Sequence, residues 1–226
     1  MLVSIEGRMG QGKTAVITAL GVLEQRRTGC KLFTTYHLND VVHCPTCGLK
    51  HPIHKIEEQE LYQCSAQVCQ VNGTSEIERV PFTFLNVEEF YNIFRRADQG
   101  EMILNDSLFL LDEAYLFMDA RTSGSKINRL FNAFTFQTRK RGVDLYITTH
   151  DVTRLDRRVR SAIDLRISCR YYPPTQTITL RIRDMHTGDR RRLKIYGPAA
   201  AFPYYDTKEL VRPQGKLYKM SEEDLR

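Results

Sequence analysis

The sequence predicts an α/β fold in which a mostly parallel sheet is flanked by helices on both faces. Three observations lead there: a glycine-rich loop between a strand and a helix at Gly7–Thr14, an apolar run ending in Asp112-Glu113, and a sustained alternation of strand-like and helix-like segments. With 226 residues the chain has room for one sizeable domain and a small insertion. Hydrophobic residues make up 42% and charged residues 27%, an ordinary globular balance. No run reaches the roughly 18 apolar residues of a membrane span. Glu6 and the glycines arrive where the apolar stretch of a signal peptide would continue, so a cytoplasmic protein is expected.

In chain order, Leu2–Glu6 (LVSIE) reads as a buried strand and Lys13–Gln25 as a helix that stops at Gly29. Lys31–Tyr36 is the next strand. The character then changes: His43–Gly73 is rich in Cys, His, Gln and Glu and shows little periodicity, so it reads as an insertion between core segments 1–42 and 74–226. Core-like sequence resumes at Pro81–Leu85, followed by a helix from about Val87 to Ala97 and a buried strand at Ser107–Asp112. Ser125–Thr138 spaces Ile127, Leu130, Phe131 and Phe134 as a helix does, and Val143–Thr149 is a further strand. A short helix follows Arg157, then a strand around Leu165–Arg170. Gln176–Tyr196 alternates on both sides of His186-Thr187-Gly188-Asp189, the pattern of a C-terminal β-hairpin.

GRMGQGKT matches G-x-x-x-x-G-K-[ST], a loop whose backbone N–H groups and following helix N-terminus cradle phosphates. Gly7, Arg8, Met9, Gly10, Gln11, Gly12, Lys13, Thr14 and Ala15 form the expected ATP-binding segment. Lys13 is placed to reach the β- and γ-phosphates and Thr14 to hold Mg²⁺. In SLFLLDEA the strand delivers Asp112 to the Mg²⁺ shell, and Glu113 is the candidate general base for the attacking water. Adjacent Asp-Glu favours an ATPase that does work over a kinase. At the end of the neighbouring strand, Thr149 or His150 could sense the γ-phosphate. Arg139 and Arg141 precede that strand at the opposite edge from the loop, a position from which they could serve a neighbouring subunit as trans-acting fingers; Arg157, Arg158 or Arg160 could do so instead.

The net charge is +6, and basic residues cluster at Arg139-Lys140-Arg141, Arg157–Arg160 and Arg190-Arg191-Arg192. This is compatible with a polyanionic partner or with a solvated face. Of six cysteines, Cys44-x-x-Cys47 and Cys64-x₄-Cys69 lie together. In a cytosolic chain that grouping points to structural Zn²⁺, with His43, His51 or His54 able to replace one ligand. Four protein ligands leave no open position for catalysis. Cys30 and Cys169 read as buried small hydrophobes.

GRMGQGKT, LLDEA, QTRKRGVDLYITTH and DVTRLDRRVR together resemble the FtsK/HerA-type P-loop ATPases. Among these, the chain is most similar to viral genome-packaging ATPases of membrane-containing icosahedral viruses and to Zot-like assembly proteins of filamentous phages. Tyr204-Tyr205-Asp206-Thr207 adds to a likeness covering about 1–40 and 80–210. The resemblance implies a RecA-like (ASCE) core and a hexameric ring that moves double-stranded DNA through its pore with ATP. It also implies capsid or portal-vertex partners and a place in the host cytoplasm or on the virion. His150 stands where these families usually carry glutamine. Zot-like proteins usually carry a membrane span after the ATPase domain; the sequence shows none, which favours packaging over extrusion of single-stranded phage DNA. The reading from a different class is a non-motor ATP-binding switch or scaffold.

Overall fold

The computed structural model describes residues 1–56, 59–64, 68–71, 75–101, 104–116, 118, 135 and 138–206. Its centre is an eight-stranded sheet. The strands that lie in parallel are β1 (Leu2–Glu6), β2 (Lys31–Thr34), β9 (Thr83–Phe84), β10 (Ser107–Leu111), β11 (Asp144–Thr149) and β12 (Leu165–Tyr172). The antiparallel hairpin β13 (Thr177–Asp184) and β14 (Arg190–Tyr196) completes it, in the order β14-β13-β12-β1-β11-β10-β2-β9. β1 and β10 are buried along their whole length, as continuous apolar runs require in a sheet covered on both faces. β11 lies between them, so the phosphate-loop strand and the Asp112 strand each border the strand that ends at Thr149.

Helix α1 (Lys13–Thr28) packs on one face through Ala15, Val16, Ile17 and Val22, against Val3, Ile5, Leu108 and Leu110. It ends where predicted: Gly29 adopts φ 68°, its N–H bonds the Gln25 carbonyl, and Arg26 and Arg27 face the negative helix end. A Cβ on Gly21 would sit 2.4 Å from Leu110 Cδ1, so glycine is what lets this helix lie close on β10. The other face is covered by α2 (Val87–Asp98) and α3 (Arg157–Ser161). α2 opens on a capping box between Asn86 and Glu89, and its Phe90 and Phe94 rings pack on Phe109, which stacks on Phe33 at 4.7 Å. The predicted helix Ser125–Thr138 falls largely outside the described residues.

Between β2 and β9 the chain forms two three-stranded antiparallel sheets where no periodicity was expected. One joins β3 (Val41–His43), β4 (Lys50–Pro52) and β8 (Glu76–Glu78). The other joins β5 (His54–Ile56), β6 (Gln59–Gln63) and β7 (Val68–Gln70). Most of these strands have three residues, too few for alternation to show in the sequence. Their own core is small: Val42, Cys44, Tyr62 and Cys64 are its buried members. The segment is tied to the main body through Glu78, which bonds Arg26 of α1, Lys50 and the Tyr204 hydroxyl. Partial burial opposes ionisation of Glu78, but Lys50, Tyr204 and Arg26 together hold its carboxyl down at about 2. Among the described residues no helix is long and apolar enough to cross a membrane.

Candidate nucleotide site and metal centre

The phosphate loop joins β1 to α1 at the C-terminal edge of the parallel strands. Gly10 and Gly12 adopt φ 73° and 81°, and Gly12 abuts Ile178 so closely that a Cβ would lie 2.5 Å from its Cδ1. The first turn of α1 carries no side-chain cap and no acidic residue. Its N–H groups therefore point from a positive helix end into the loop, the arrangement that receives an anion. Gly7, Arg8, Gln11, His150 and Arg170 line a concavity of about 540 Å³ beside it.

The carboxylates and their partners form a compact network. Thr14 Oγ1 donates to Asp112 Oδ2 at 3.1 Å, and Thr148 Oγ1 donates to Asp112 Oδ1 at 2.5 Å. The same Thr148 oxygen accepts the Glu113 N–H at 2.9 Å, while Asp112 N–H donates to Thr35 Oγ1 at 3.0 Å. Burial pushes the Asp112 carboxyl above its ordinary value, against the bonds from Thr148 and Thr14. Glu113 is also raised, by burial and then by the Asp112 charge. Its backbone takes φ 51°, a conformation that costs a non-glycine residue energy, and its Oε2 is buried with no hydrogen-bond partner among the described residues.

Lys13 Nζ lies 3.3 Å from His150 Nδ1, 3.4 Å from the Arg8 carbonyl and 4.0 Å from Glu113 Oε1. An ammonium can only donate, so His150 Nδ1 accepts and the ring proton sits on Nε2, 3.5 Å from Glu113 Oε1. The structure thus brings Lys13, Thr14, Asp112, Glu113 and His150 together. Thr149 is elsewhere: its hydroxyl donates to the Asp151 carbonyl at 3.0 Å. Arg141 caps α2, donating to the Ala97 carbonyl at 2.7 Å, and the Arg139 side chain lies outside the described residues. Arg157 and Arg158 are exposed, whereas Arg160 has a buried Nε with no partner among the described residues. Sequence reasoning missed Thr148 and Thr35. A signal existed for the first: Thr148 alternates with the apolar Ile147 on β11, one residue before the pair singled out as sensors.

In the inserted segment, Cys44, Cys47, His51 and Cys64 place their ligand atoms within 4.8 Å of one another. His51 Nε2 lies 3.0 Å from Cys47 Sγ, and the Tyr62 hydroxyl donates to Cys44 Sγ at 3.7 Å. His51, one of the three histidines expected to be able to replace a cysteine, therefore stands in this cluster in the place of Cys69. The wider Cys64-x₄-Cys69 spacing puts Cys69 on β7 opposite Tyr62, while His51 on β4 falls beside the Cys44–Cys47 turn. The Cys47 backbone N–H, followed by Tyr62, holds the Cys44 thiol down at about 6, in the range where thiolate ligates metal readily. Cys169 is buried as expected, and Cys30 is half-buried.

The fold and the site define a P-loop NTPase with a RecA-like core. The chain belongs to the zonular occludens toxin (Zot) family, whose profile matches residues 1–173. The structure resembles the N-terminal domain of zonular occludens toxin from Neisseria meningitidis, with a TM-score of 0.54 and 16% identity over 91% of this chain and 98% of that one. It also resembles the genome packaging NTPase B204 from Sulfolobus turreted icosahedral virus 2 in complex with ATP-gammaS. There the TM-score is 0.52 and the identity 15%, over 84% of this chain and 95% of that one. At such identities the likeness establishes the fold. A search of curated proteins found no match.

Because the folded Asp112 carboxyl sits above its unfolded value, it withdraws stability as pH rises through the folded value. Asp112→Asn, which cannot ionise, should raise the melting temperature of the nucleotide-free protein at neutral pH. The same change should remove the extra stability conferred by Mg²⁺ with ATP. Thermal melts with and without nucleotide check both; a lower melting temperature would show that the threonine bonds outweigh burial.

Proposed function

We propose that this protein is an ATP-driven DNA translocase. The observation that carries the ATPase half is Glu113: held beside Lys13 and His150, it has a buried carboxylate oxygen with no partner among the described residues. A group of raised pKa in that position can take a proton from water attacking the γ-phosphate. Thr14 and Asp112, with oxygens 3.1 Å apart, offer the hard donors that Mg²⁺ prefers. Lys13 and the open N-terminus of α1 supply positive charge for the phosphates. His150 touches both Lys13 and Glu113, which suits it to register the loss of the γ-phosphate.

DNA as the load is supported by Zot-family membership and by the resemblance to a genome packaging NTPase. A ring in which one subunit completes its neighbour's site accounts for the abundance of arginine. Arg157 and Arg158, exposed on α3, are our candidates for that contact, since Arg141 is committed to α2.

We assign the Cys44, Cys47, His51 and Cys64 cluster to a structural Zn²⁺. The supporting observation is the smallness of the local core, in which two of the ligands, Cys44 and Cys64, are themselves buried members. Such a segment gains from a metal what its apolar area does not provide. In this reading Cys69 is a neighbour of the centre and not a ligand.

Two measurements test these assignments. Glu113→Gln should lower steady-state ATP turnover by about 100-fold or more while leaving ATP binding intact; near-normal turnover would remove Glu113 as the base. Protein purified without chelators should hold about one zinc per chain, lost in His51→Ala and Cys44→Ser but kept in Cys69→Ser. Zinc-free protein, or zinc lost only in Cys69→Ser, contradicts the centre as assigned.

A further inference from the structure

We infer that the face of β12–β14 turned away from α1 is a binding surface for single-stranded DNA, an inference that rests on the translocase reading above. The alternation of these strands separates two faces. Ile167, Cys169, Ile178, Leu180 and Ile195 go into the core around α1. The opposite positions form cross-strand rows: Arg166, Arg183 and Arg190; then Ser168, Arg181 and Arg192; then Arg170, Thr179 and Lys194. A fourth row holds Tyr172, Thr177 and Tyr196. Strand spacing makes this a patch of roughly 10 by 20 Å with cations about 5–7 Å apart. That is an array for a run of phosphates, larger than the phosphates of one nucleotide occupy.

The arrangement works against the isolated chain. Arg183 lies directly opposite Arg190, and Arg181 opposite Arg192, pairings of like charge that destabilise a sheet. Arg166 is bonded by Glu6 through two hydrogen bonds of 2.8 and 2.7 Å. Among the described residues, Arg170, Arg181, Arg183, Arg190, Arg192 and Lys194 are exposed and have no ion-pair partner. Charge on β14 alone would be ordinary protection of an edge strand. Arg170, Arg181 and Arg183 lie on the interior strands β12 and β13, where no edge needs protecting.

The tyrosines select the form of the polyanion. Tyr172 and Tyr196 are 57% and 73% exposed, at one end of the cationic rows. Exposed rings beside a cationic track suit unpaired bases, which stack on them while the backbone runs over the arginines. A duplex keeps its bases inside and has no use for them, so this surface favours single-stranded DNA over the duplex expected from sequence. The patch also adjoins the nucleotide site. Ser168 and Arg170 line the same concavity as Gly7 and Arg8, and Gln11 Oε1 of the phosphate loop accepts the Tyr171 N–H at 3.0 Å.

The test is fluorescence anisotropy of the full chain with a labelled oligothymidine of about 20 nucleotides, titrated at several salt concentrations. Combining Arg181→Ala, Arg183→Ala and Arg192→Ala should weaken binding at least tenfold and reduce the log–log salt slope by about 2. Combining Tyr172→Ala with Tyr196→Ala should weaken oligothymidine binding about tenfold and leave duplex binding unchanged. Wild-type affinity and slope in both variants overturn the surface while leaving the translocase reading in place. Tyrosine variants that bind oligothymidine normally, or lose duplex equally, overturn the single-strand assignment. Arginine variants that bind DNA normally but lose ATPase would place these residues at a neighbour's nucleotide, and loss of anionic-vesicle binding alone would place them at a membrane; both overturn the proposal. Wild-type protein that binds neither DNA form overturns the translocase reading itself.

Discussion

The structure turns on one carboxylate. Asp112 is gripped by hydroxyls from two directions, Thr14 at the start of α1 and Thr148 on β11, while its own N–H reaches Thr35 at the end of β2. These bonds lock the phosphate loop, the central strand and the strand carrying the carboxylates into one unit. They also fix the path of the chain through Glu113, whose N–H is held by Thr148 and whose backbone is forced to φ 51°. An ionisable group buried this deeply is costly, and the threonines offset the cost only in part, as its raised pKa shows. Backbone strain and two buried carboxyls concentrated at one sheet edge mark where stability has been given up for chemistry.

The same edge has a mechanical neighbour. Gly7 packs so tightly on β12 that a Cβ would lie 3.0 Å from the Cys169 carbonyl, and Gln11 accepts the Tyr171 N–H two residues further on. The phosphate loop is thus in direct contact with β12, and β12 pairs with the hairpin that carries the rows of arginine. On the opposite side of the loop helix, Arg26, Lys50, Tyr204 and Glu78 latch the two small sheets to α1. The inserted segment is thus tied to the helix that follows the phosphate loop.

Much of this was legible in the sequence, for physical reasons that differ by element. β10 is buried on both faces and appears as an almost unbroken apolar run. β1 and β11 appear as shorter apolar runs broken by Ser4 and by Thr148 and Thr149, and α1 is bounded by Gly12 and Gly29, both at positive φ. On β13 apolar residues alternate with polar ones because one face meets the core around α1 and the other meets solvent, whereas β14, at the sheet edge, is exposed over most of its length. What could not be read comes from contacts distant in sequence. Thr148 shares its strand with the predicted sensors, but residue types do not show that its hydroxyl reaches Asp112 across the β10–β11 pairing. His51 is one of three histidines that the sequence offers in place of a cysteine, and the pairing of β4 with β3 is what singles it out and leaves Cys69 outside the cluster. Arg141 belonged to a conspicuous basic cluster, yet its geometry makes it a helix cap.

The central claim is that nucleotide turnover at Asp112-Glu113 is coupled to DNA. Steady-state ATP hydrolysis by the purified protein, measured alone and with single-stranded or duplex DNA, tests it most directly. The account predicts measurable Mg²⁺-dependent hydrolysis that DNA accelerates several-fold or more. ATP binding with negligible turnover, unchanged by either form of DNA, would contradict it and leave a nucleotide-binding switch or scaffold.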